Sequence, residues 1–210
     1  KVRPQVIYSW KNVLGVDKMW SQTKQRSTMD PVALNLAGRH LNKFFTNKRI
    51  KVLEVFAGNC IAGQIIKGYL NAKWIYTDIA TYKHSVSQFN KLNAVEAVQL
   101  FGPAADVLLM ISPPPVNEEG IAKCNINTNL GYGDYYACKD FIAQSDTGKY
   151  IIFIGELGAS DGSTGMYKYL IEHSRLKLVL RKMLVDGKDI TGGKLEKELF
   201  VFTIHPGQLV

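Results

Sequence analysis

The apolar positions change period several times along the chain and divide it into short alternating elements. After Asp30-Pro31, a helix-start pair, Leu34, Leu36, Ala37, Leu41, Phe44 and Phe45 recur at helical spacing, so a helix is expected over 31–45, ended by Thr46-Asn47. The run KVLEVFA, 51–57, is continuously apolar, rich in β-branched residues and closed by Gly58, which reads as a strand buried on both faces. A helix over 61–70, a second strand over 74–79 (WIYTDI), a helix over 85–92 and a third strand over 96–100 follow. A fourth strand over 106–111, DVLLMI, stops at Pro113-Pro114-Pro115. Beyond it lie a loop, a helix over 133–144, a fifth strand over 150–157, a helix over 166–173, and strands over 176–185 and 198–205. The last two strands are joined through Asp186-Gly187 and Gly192-Gly193.

This alternation predicts an α/β fold, Rossmann-like and doubly wound, with a mostly parallel seven-stranded sheet and helices on both faces. The close spacing of the final pair predicts an antiparallel C-terminal strand at or near an edge. The segment 1–30 has no such rhythm and reads as an N-terminal extension. Residues 31–210 read as one domain, and a chain of 210 residues that is 46% hydrophobic can bury a core without disulfides or metals.

Charge adds a second division. Residues 1–51 hold 11 Lys/Arg against 2 Asp/Glu, a net of +9, whereas 52–210 hold 15 against 16, a net of −1. The basic excess belongs to the first quarter of the chain, which points to a polyanion, with nucleic acid the usual partner; a solvated basic surface would read the same way. No apolar run reaches the roughly 18 to 20 residues of a membrane span, and 1–10 carry no signal-like apolar region, so no membrane association is expected. Three cysteines, Cys60, Cys124 and Cys138, with no Cys-x-x-Cys pair, suit a reducing intracellular setting and no zinc site. His40, His84, His173 and His205 are scattered without ligand spacing, so no metal is expected. The Lys- and Asn-rich, Arg-poor bias fits an AT-rich genome, viral or protozoan. The expected compartment is cytoplasm or nucleus, or the host cytoplasm for a virus.

Three clusters fall at predicted strand ends, where an open α/β sheet binds ligands. EVFAGNCIAG (54–63) has an acid in the strand, a glycine closing it and another, Gly63, in the next helix; a tight strand–helix turn would show the same glycines. Asp78 ends the second strand, where an acid can accept hydrogen bonds from a ribose diol or can cap a turn. Ser112-Pro113-Pro114-Pro115 follows the fourth strand. Proline removes N–H donors and fixes φ, leaving rigid carbonyls that can accept from an amino group; a strand-ending loop also uses prolines.

Together, EVFAGNCIAG, the strand-end Asp78 and DVLLMISPPP resemble the class I S-adenosylmethionine-dependent methyltransferases. More narrowly they resemble the amino-methyltransferases of nucleic acids, whose fourth motif reads Asp/Asn/Ser-Pro-Pro-aromatic. The resemblance covers about 25–205, and Ser27-Thr28-Met29-Asp30-Pro31 resembles the segment before the first motif in many adenine-N6 enzymes. It makes 31–210 a methyltransferase domain behind the basic extension 1–30. It implies S-adenosyl-L-methionine as cofactor, with Glu54 in the first-motif network and Phe56, Ala57, Gly58 and Asn59 in the loop under methionine and ribose. It further implies Asp78 on the ribose hydroxyls, Ile79 on the adenine, Thr28 at the methionine carboxylate, and Ser112, Pro113 and Pro114 around the target amine.

The sequence departs from the family at three places. Pro115 stands at the aromatic position of the fourth motif, where Tyr132, Tyr135 or Tyr136 of the next loop would have to supply the ring that stacks a base. Cys60 stands where the first motif usually has its second glycine. No Asp follows the third strand, where Phe101 is the residue expected to stack on adenine.

The expected activity is transfer of a methyl group to an exocyclic amine of RNA or DNA, adenine N6 first. Lys18, Lys24 and Arg26 would hold phosphates, and Trp10, Trp20, Tyr132 and Tyr135 would contact bases. The alternatives are a non-catalytic methyltransferase-like module that binds nucleic acid or a partner, and a methyltransferase for protein or small-molecule amines. A homodimer or a partner subunit is compatible with each.

Overall fold

The computed structural model describes residues 31–79, 86, 88–113, 133–156, 161–188 and 194–206. The elements are α1 (Pro31–Phe44), β1 (Ile50–Val55), α2 (Ile61–Lys67), β2 (Ala72–Asp78), β3 (Phe89–Lys91), α3 (Ala94–Phe101) and β4 (Val107–Ile111). Then come α4 (Gly133–Gln144), β5 (Tyr150–Gly155), α5 (Thr164–Glu172), β6 (Leu176–Lys188) and β7 (Lys194–Ile204). They build one seven-stranded sheet in the order β3-β2-β1-β4-β5-β7-β6. All neighbours are parallel except β7, which runs antiparallel between β5 and β6. The expected antiparallel C-terminal strand is therefore one place in from the edge, with β6 outside it.

Side chains on successive strand residues point to opposite faces, and the core splits accordingly. One layer joins Val52, Trp74, Val107, Leu109 and Ile152 to Leu34, Ala37 and Leu41 of α1 and Ile65 and Ile66 of α2. The other joins Leu53, Leu108, Met110 and Phe153 to Ala97 and Val98 of α3, Phe141 and Ile142 of α4, and Met166 and Leu170 of α5. Every residue of β4 is buried, as its continuous apolar run requires.

Two expected elements are overturned. The helix expected over 85–92 is replaced, in its described part, by β3, whose Phe89, Asn90 and Lys91 pair with Tyr76, Thr77 and Asp78. Three residues carry no periodicity to read; the free edge of β2 decides their conformation. The strand expected over 96–100 is instead α3. Asn93 caps it, accepting from the Glu96 amide at 2.9 Å while the Glu96 carboxylate accepts from the Asn93 amide at 3.0 Å. Ala94, Ala97 and Val98, at helical spacing, are its buried face. The strand count of seven survives because these two errors offset each other.

Candidate active site

The parallel strands end together, and the site grows from what the chain does there. Past β1 the backbone enters the left-handed region three times, at Phe56 (φ 59°), Gly58 (φ 55°) and Cys60 (φ 65°). The two that are not glycine are strained, by about 1–3 kcal/mol each, and persist because their surroundings hold them. The Ala57 amide donates to the Thr77 carbonyl at 3.0 Å, and the Gly58 amide to Asp78 Oδ2 at 2.8 Å. The Asn59 side chain accepts from the Ile61 amide at 3.2 Å, at the start of α2. Asp78 thus ties the β1 loop to the end of β2, and the Leu92 amide ties β3 to the Asp78 carbonyl at 3.1 Å. A Cβ on Gly58 would meet no described residue within 4 Å. Among the described residues, the loop therefore leaves space beside a carboxylate, room that a ligand can fill.

Beneath that loop lies Glu54, 1% exposed, with Trp74 Nε1 donating to its Oε2 at 2.7 Å. Gly63 of α2 rests on the same carboxylate: a Cβ there would stand 1.8 Å from Oε2. Burial pushes the Glu54 carboxyl up to about 8, the Trp74 hydrogen bond opposes this, and nearby Asp78 adds to it. Burial and then Glu54 push the Cys60 thiol up to about 12, so it is inert at neutral pH.

The folded chain therefore holds a proton on Glu54 that the unfolded chain releases above about 4.5. Stability from this group should fall as pH rises from about 4.5 to about 8, by about 1.4 kcal/mol per pH unit. Glu54→Gln keeps an acceptor for Trp74 and should abolish that slope. Urea unfolding of both proteins between pH 5 and 8 checks it, with parallel curves the contrary result.

Past β4, Ser112 also lies in the left-handed region (φ 42°), and its amide donates to the Ile154 carbonyl at 2.7 Å. Ser112 is 6% exposed, and its Oγ donates to Asp161 Oδ2 at 3.4 Å. The Pro113 carbonyl accepts from the Gly162 amide at 2.9 Å. Asp161 also accepts from the Glu156 amide at 2.7 Å and pairs with the buried Lys197 of β7. Behind it, Asp134 accepts from the Ser163 hydroxyl at 2.9 Å and the Tyr135 amide at 2.7 Å. Burial raises the Asp134 carboxyl and these hydrogen bonds pull it back. The Phe56 ring packs against Gly133 where α4 begins, closing β1 against α4.

Solved structures share this fold at low sequence identity. A Streptococcus thermophilus rRNA methylase superposes with a TM-score of 0.53 at 8% identity, over 85% of this chain and 100% of its own. A Burkholderia thailandensis 1,6-didemethyltoxoflavin-N1-methyltransferase, solved with S-adenosylhomocysteine, gives 0.55 at 11% identity, over 90% and 82%. A Listeria monocytogenes protein classed with the class I S-adenosylmethionine-dependent methyltransferases gives 0.52 at 13% identity, over 92% and 66%. This chain has the class I methyltransferase fold. It spans 66%, just under two thirds, of the Listeria protein's length. No family model and no curated protein sequence matches it.

Within the class I methyltransferase fold, the expected residues sort by position. Phe56, Ala57, Gly58, Asn59, Asp78, Ile79, Ser112 and Pro113 all stand at the carboxyl ends of β1, β2 and β4, with Ile79 51% exposed. Glu54 lies under the loop, engaged with Trp74. Tyr135 opens α4 but packs edge-to-face on Tyr136 and Tyr169, with centroids 5.1 Å apart in each case. Lys18, Lys24, Arg26, Thr28, Pro114, Pro115 and Tyr132 lie outside the described residues.

Phe101 is a correction. It ends α3, which descends from the carboxyl end of β3 to the amino end of β4, and its carbonyl accepts from Ala105 just before that strand. Phe101 is therefore at the far end of the sheet from Gly58 and Asp78. Its expected stacking role rested on reading 96–100 as a strand. The carboxyl end of β3 instead leads into Leu92 and Asn93. Sequence reasoning also missed Asp161, which lies between the strand expected over 150–157 and the helix expected over 166–173, and Lys197, which lies in the connection just before the strand expected over 198–205.

The basic excess has a described part too. Arg39, Lys43, Lys48, Arg49 and Lys51 are all exposed, and no acid occurs between Pro31 and Leu53. Arg49, Lys51 and Lys73 line one concavity with Asp106, at the amino ends of β1 and β2. Partial burial, then Lys182 and Lys43, hold the His40 imidazole below its usual range. Among the described residues no helix is long and apolar enough to cross a membrane, and no group of three His, Cys, Asp or Glu side chains could hold a metal.

Proposed function

We propose that this chain is an S-adenosylmethionine-dependent N-methyltransferase of the EC 2.1.1 class that modifies an exocyclic amine in RNA or DNA, with adenine N6 the favoured target. The observation that carries the reading is the alignment, along the ends of β2, β1 and β4, of Asp78 clamped on Gly58 and of Ser112-Pro113. The residues fit the cofactor: no described residue lies within 4 Å of a Cβ built on Gly58, and Asp78 places a carboxylate beside it. S-adenosylmethionine supplies a methyl group on a sulfonium centre. In this reading Asp78 accepts from the ribose hydroxyls, and Phe56, Ala57, Gly58 and Asn59 lie under ribose and methionine. Thr28 meets the methionine carboxylate, and Ile79 packs on adenine from one side. Leu92 and Asn93 take the place first given to Phe101.

The amine side follows from nucleophilicity. The lone pair of an exocyclic base amine is delocalised into the ring. Oxygen acceptors on its N–H groups favour a pyramidal nitrogen and return the lone pair to attack. Ser112, with Pro113, Pro114 and Pro115, supplies such acceptors and positions the nitrogen in line. No base need act first, since the proton leaves once nitrogen is cationic. Lys18, Lys24 and Arg26 hold phosphates and Tyr132 and Tyr135 contact bases, in an enzyme working inside the cell. The rRNA methylase among the structural neighbours supports a nucleic-acid substrate.

A labelled-methyl transfer assay across RNA, single-stranded DNA and protein, followed by nucleoside identification, tests this. N6-methyladenosine or its deoxy form is expected, with salt-sensitive binding that weakens when Lys18, Lys24 and Arg26 are neutralised. Ser112→Ala should cut turnover more than cofactor affinity. A second reading, a non-catalytic methyltransferase-like module, draws on the burial of Ser112 and the Gly162 amide on the Pro113 carbonyl. Calorimetry showing no heat with S-adenosylmethionine at high micromolar concentration would favour it and sink the first.

A further inference from the structure

Lys197 enters from a distant part of the chain and is 5% exposed, paired with an Asp161 that is 1% exposed. Topology brings it there. Because β7 runs antiparallel to β5, its amino end meets the carboxyl end of β5, with Glu198 opposite Gly155. That places Lys197 beside the loop that carries Asp161, at the end of the sheet where β4 delivers Ser112. Three donors converge on Asp161 Oδ2: the Glu156 amide, the Ser112 hydroxyl and the Lys197 ammonium.

Burying such a pair is costly, and well-packed apolar residues of similar volume usually serve stability as well or better. The pair also sits against a residue whose backbone is strained, since Ser112 has φ 42° without being glycine. Strain and a buried ion pair at one residue indicate that its geometry is being imposed.

A serine hydroxyl has one proton to donate and two lone pairs. Once its proton is directed at a carboxylate, it can only accept from any other neighbour. Lys197 and the Glu156 amide both donate to Asp161 Oδ2, so that oxygen serves as an acceptor toward Ser112 as well. Resting on the amine-methylation reading above, we infer that Lys197 and Asp161 are positioning residues that make Ser112 an obligate acceptor for the N–H of the substrate amine. The Ser112–Asp161 separation of 3.4 Å leaves room for that bond to tighten when substrate binds. Neither residue need touch the substrate. They would select a neutral N–H donor over a substrate presenting an acceptor, such as a carbonyl oxygen.

The test replaces the pair as a unit. In the Lys197→Met, Asp161→Leu double variant, S-adenosylmethionine affinity should stay near wild type, and melting temperature should fall only by the few degrees expected when the Glu156 amide loses its acceptor. Turnover should fall about 100-fold, the order lost when one preorganised polar group is removed. KM for S-adenosylmethionine should not change. Adding Ser112→Ala to the double variant should cost little more, because the hydroxyl has already lost its orientation. Should the double variant not fold, the Lys197→Met, Asp161→Ala variant, which likewise removes both the acceptor and the buried cation, is read out the same way.

Wild-type turnover in the pair variant, or a full additional loss from Ser112→Ala, would overturn the positioning role while leaving the methyltransferase reading intact. A wild-type chain that transfers no methyl group to any of the offered amines would overturn both.

Discussion

Asp78→Ala is expected to weaken S-adenosylmethionine binding by about 100-fold in calorimetry, with the fold retained. The side chain has two duties, and alanine ends both. Its Oδ2 holds the Gly58 amide at 2.8 Å, which keeps the β1 loop in its left-handed turn. In the proposed reading it also accepts from the ribose hydroxyls. Hydrogen bonds to a charged group contribute about 1.5–3 kcal/mol each, and each 1.4 kcal/mol is tenfold in affinity. Losing both should therefore cost about 3 kcal/mol of binding at the lower end of that range. Asp78→Asn keeps an oxygen for Gly58 and should lose only about tenfold. An alanine variant that binds as well as wild type would remove the ribose assignment.

Gly63→Ala is expected to destabilise the chain by about 3 kcal/mol or more, lowering the melting temperature by roughly 6–12 °C for a domain of this size. The added Cβ would lie 1.8 Å from Glu54 Oε2 and 2.6 Å from its Cδ. Glu54 has nowhere to go. It is buried, and moving it breaks the Trp74 hydrogen bond inside a dry layer. Glu54→Ala should relieve the clash, so the Gly63→Ala, Glu54→Ala pair should be more stable than the sum of the single effects. Additive losses in thermal or urea unfolding would show that the contact is not the cause. The glycine of α2 is thus a packing requirement of the acid in β1, which links two positions of the EVFAGNCIAG segment through space.

The legible parts of the fold were those whose burial pattern repeats. β4 and β5 are runs buried on both faces, β1 is nearly so, β2 keeps an apolar alternation, and α1, α4 and α5 keep helical spacing long enough to register. The misread stretch, 85–100, has neither property. β3 is three residues long and owes its conformation to the open edge of β2. α3 carries a readable start signal in Asn93 and Glu96, but its apolar run is short enough to pass for a strand.

The residue-level picture of the site divides in the same way. Gly58, Asp78, Ser112 and Pro113 could be singled out because each follows directly on a strand. Phe101 was misplaced because its assignment inherited the misread strand. Asp161 could not be recognised because its meaning depends on Lys197, and the two are joined only by the antiparallel insertion of β7.

By itself, the sequence determined the alternation of strands and helices, the strand ends where chemistry can sit, and the concentration of positive charge in the first quarter of the chain. These follow from local periodicity and composition, which need no partner to be read. Tertiary structure alone decided that 89–91 would pair as an edge strand, that Phe101 would stand at the far end of the sheet from the site, and that Glu54 would be buried against Gly63. It also decided that Lys197 and Asp161 would meet behind Ser112. Each of these depends on sheet order and strand direction, and the hydrogen bonds and desolvation involved exist only once distant segments are packed together.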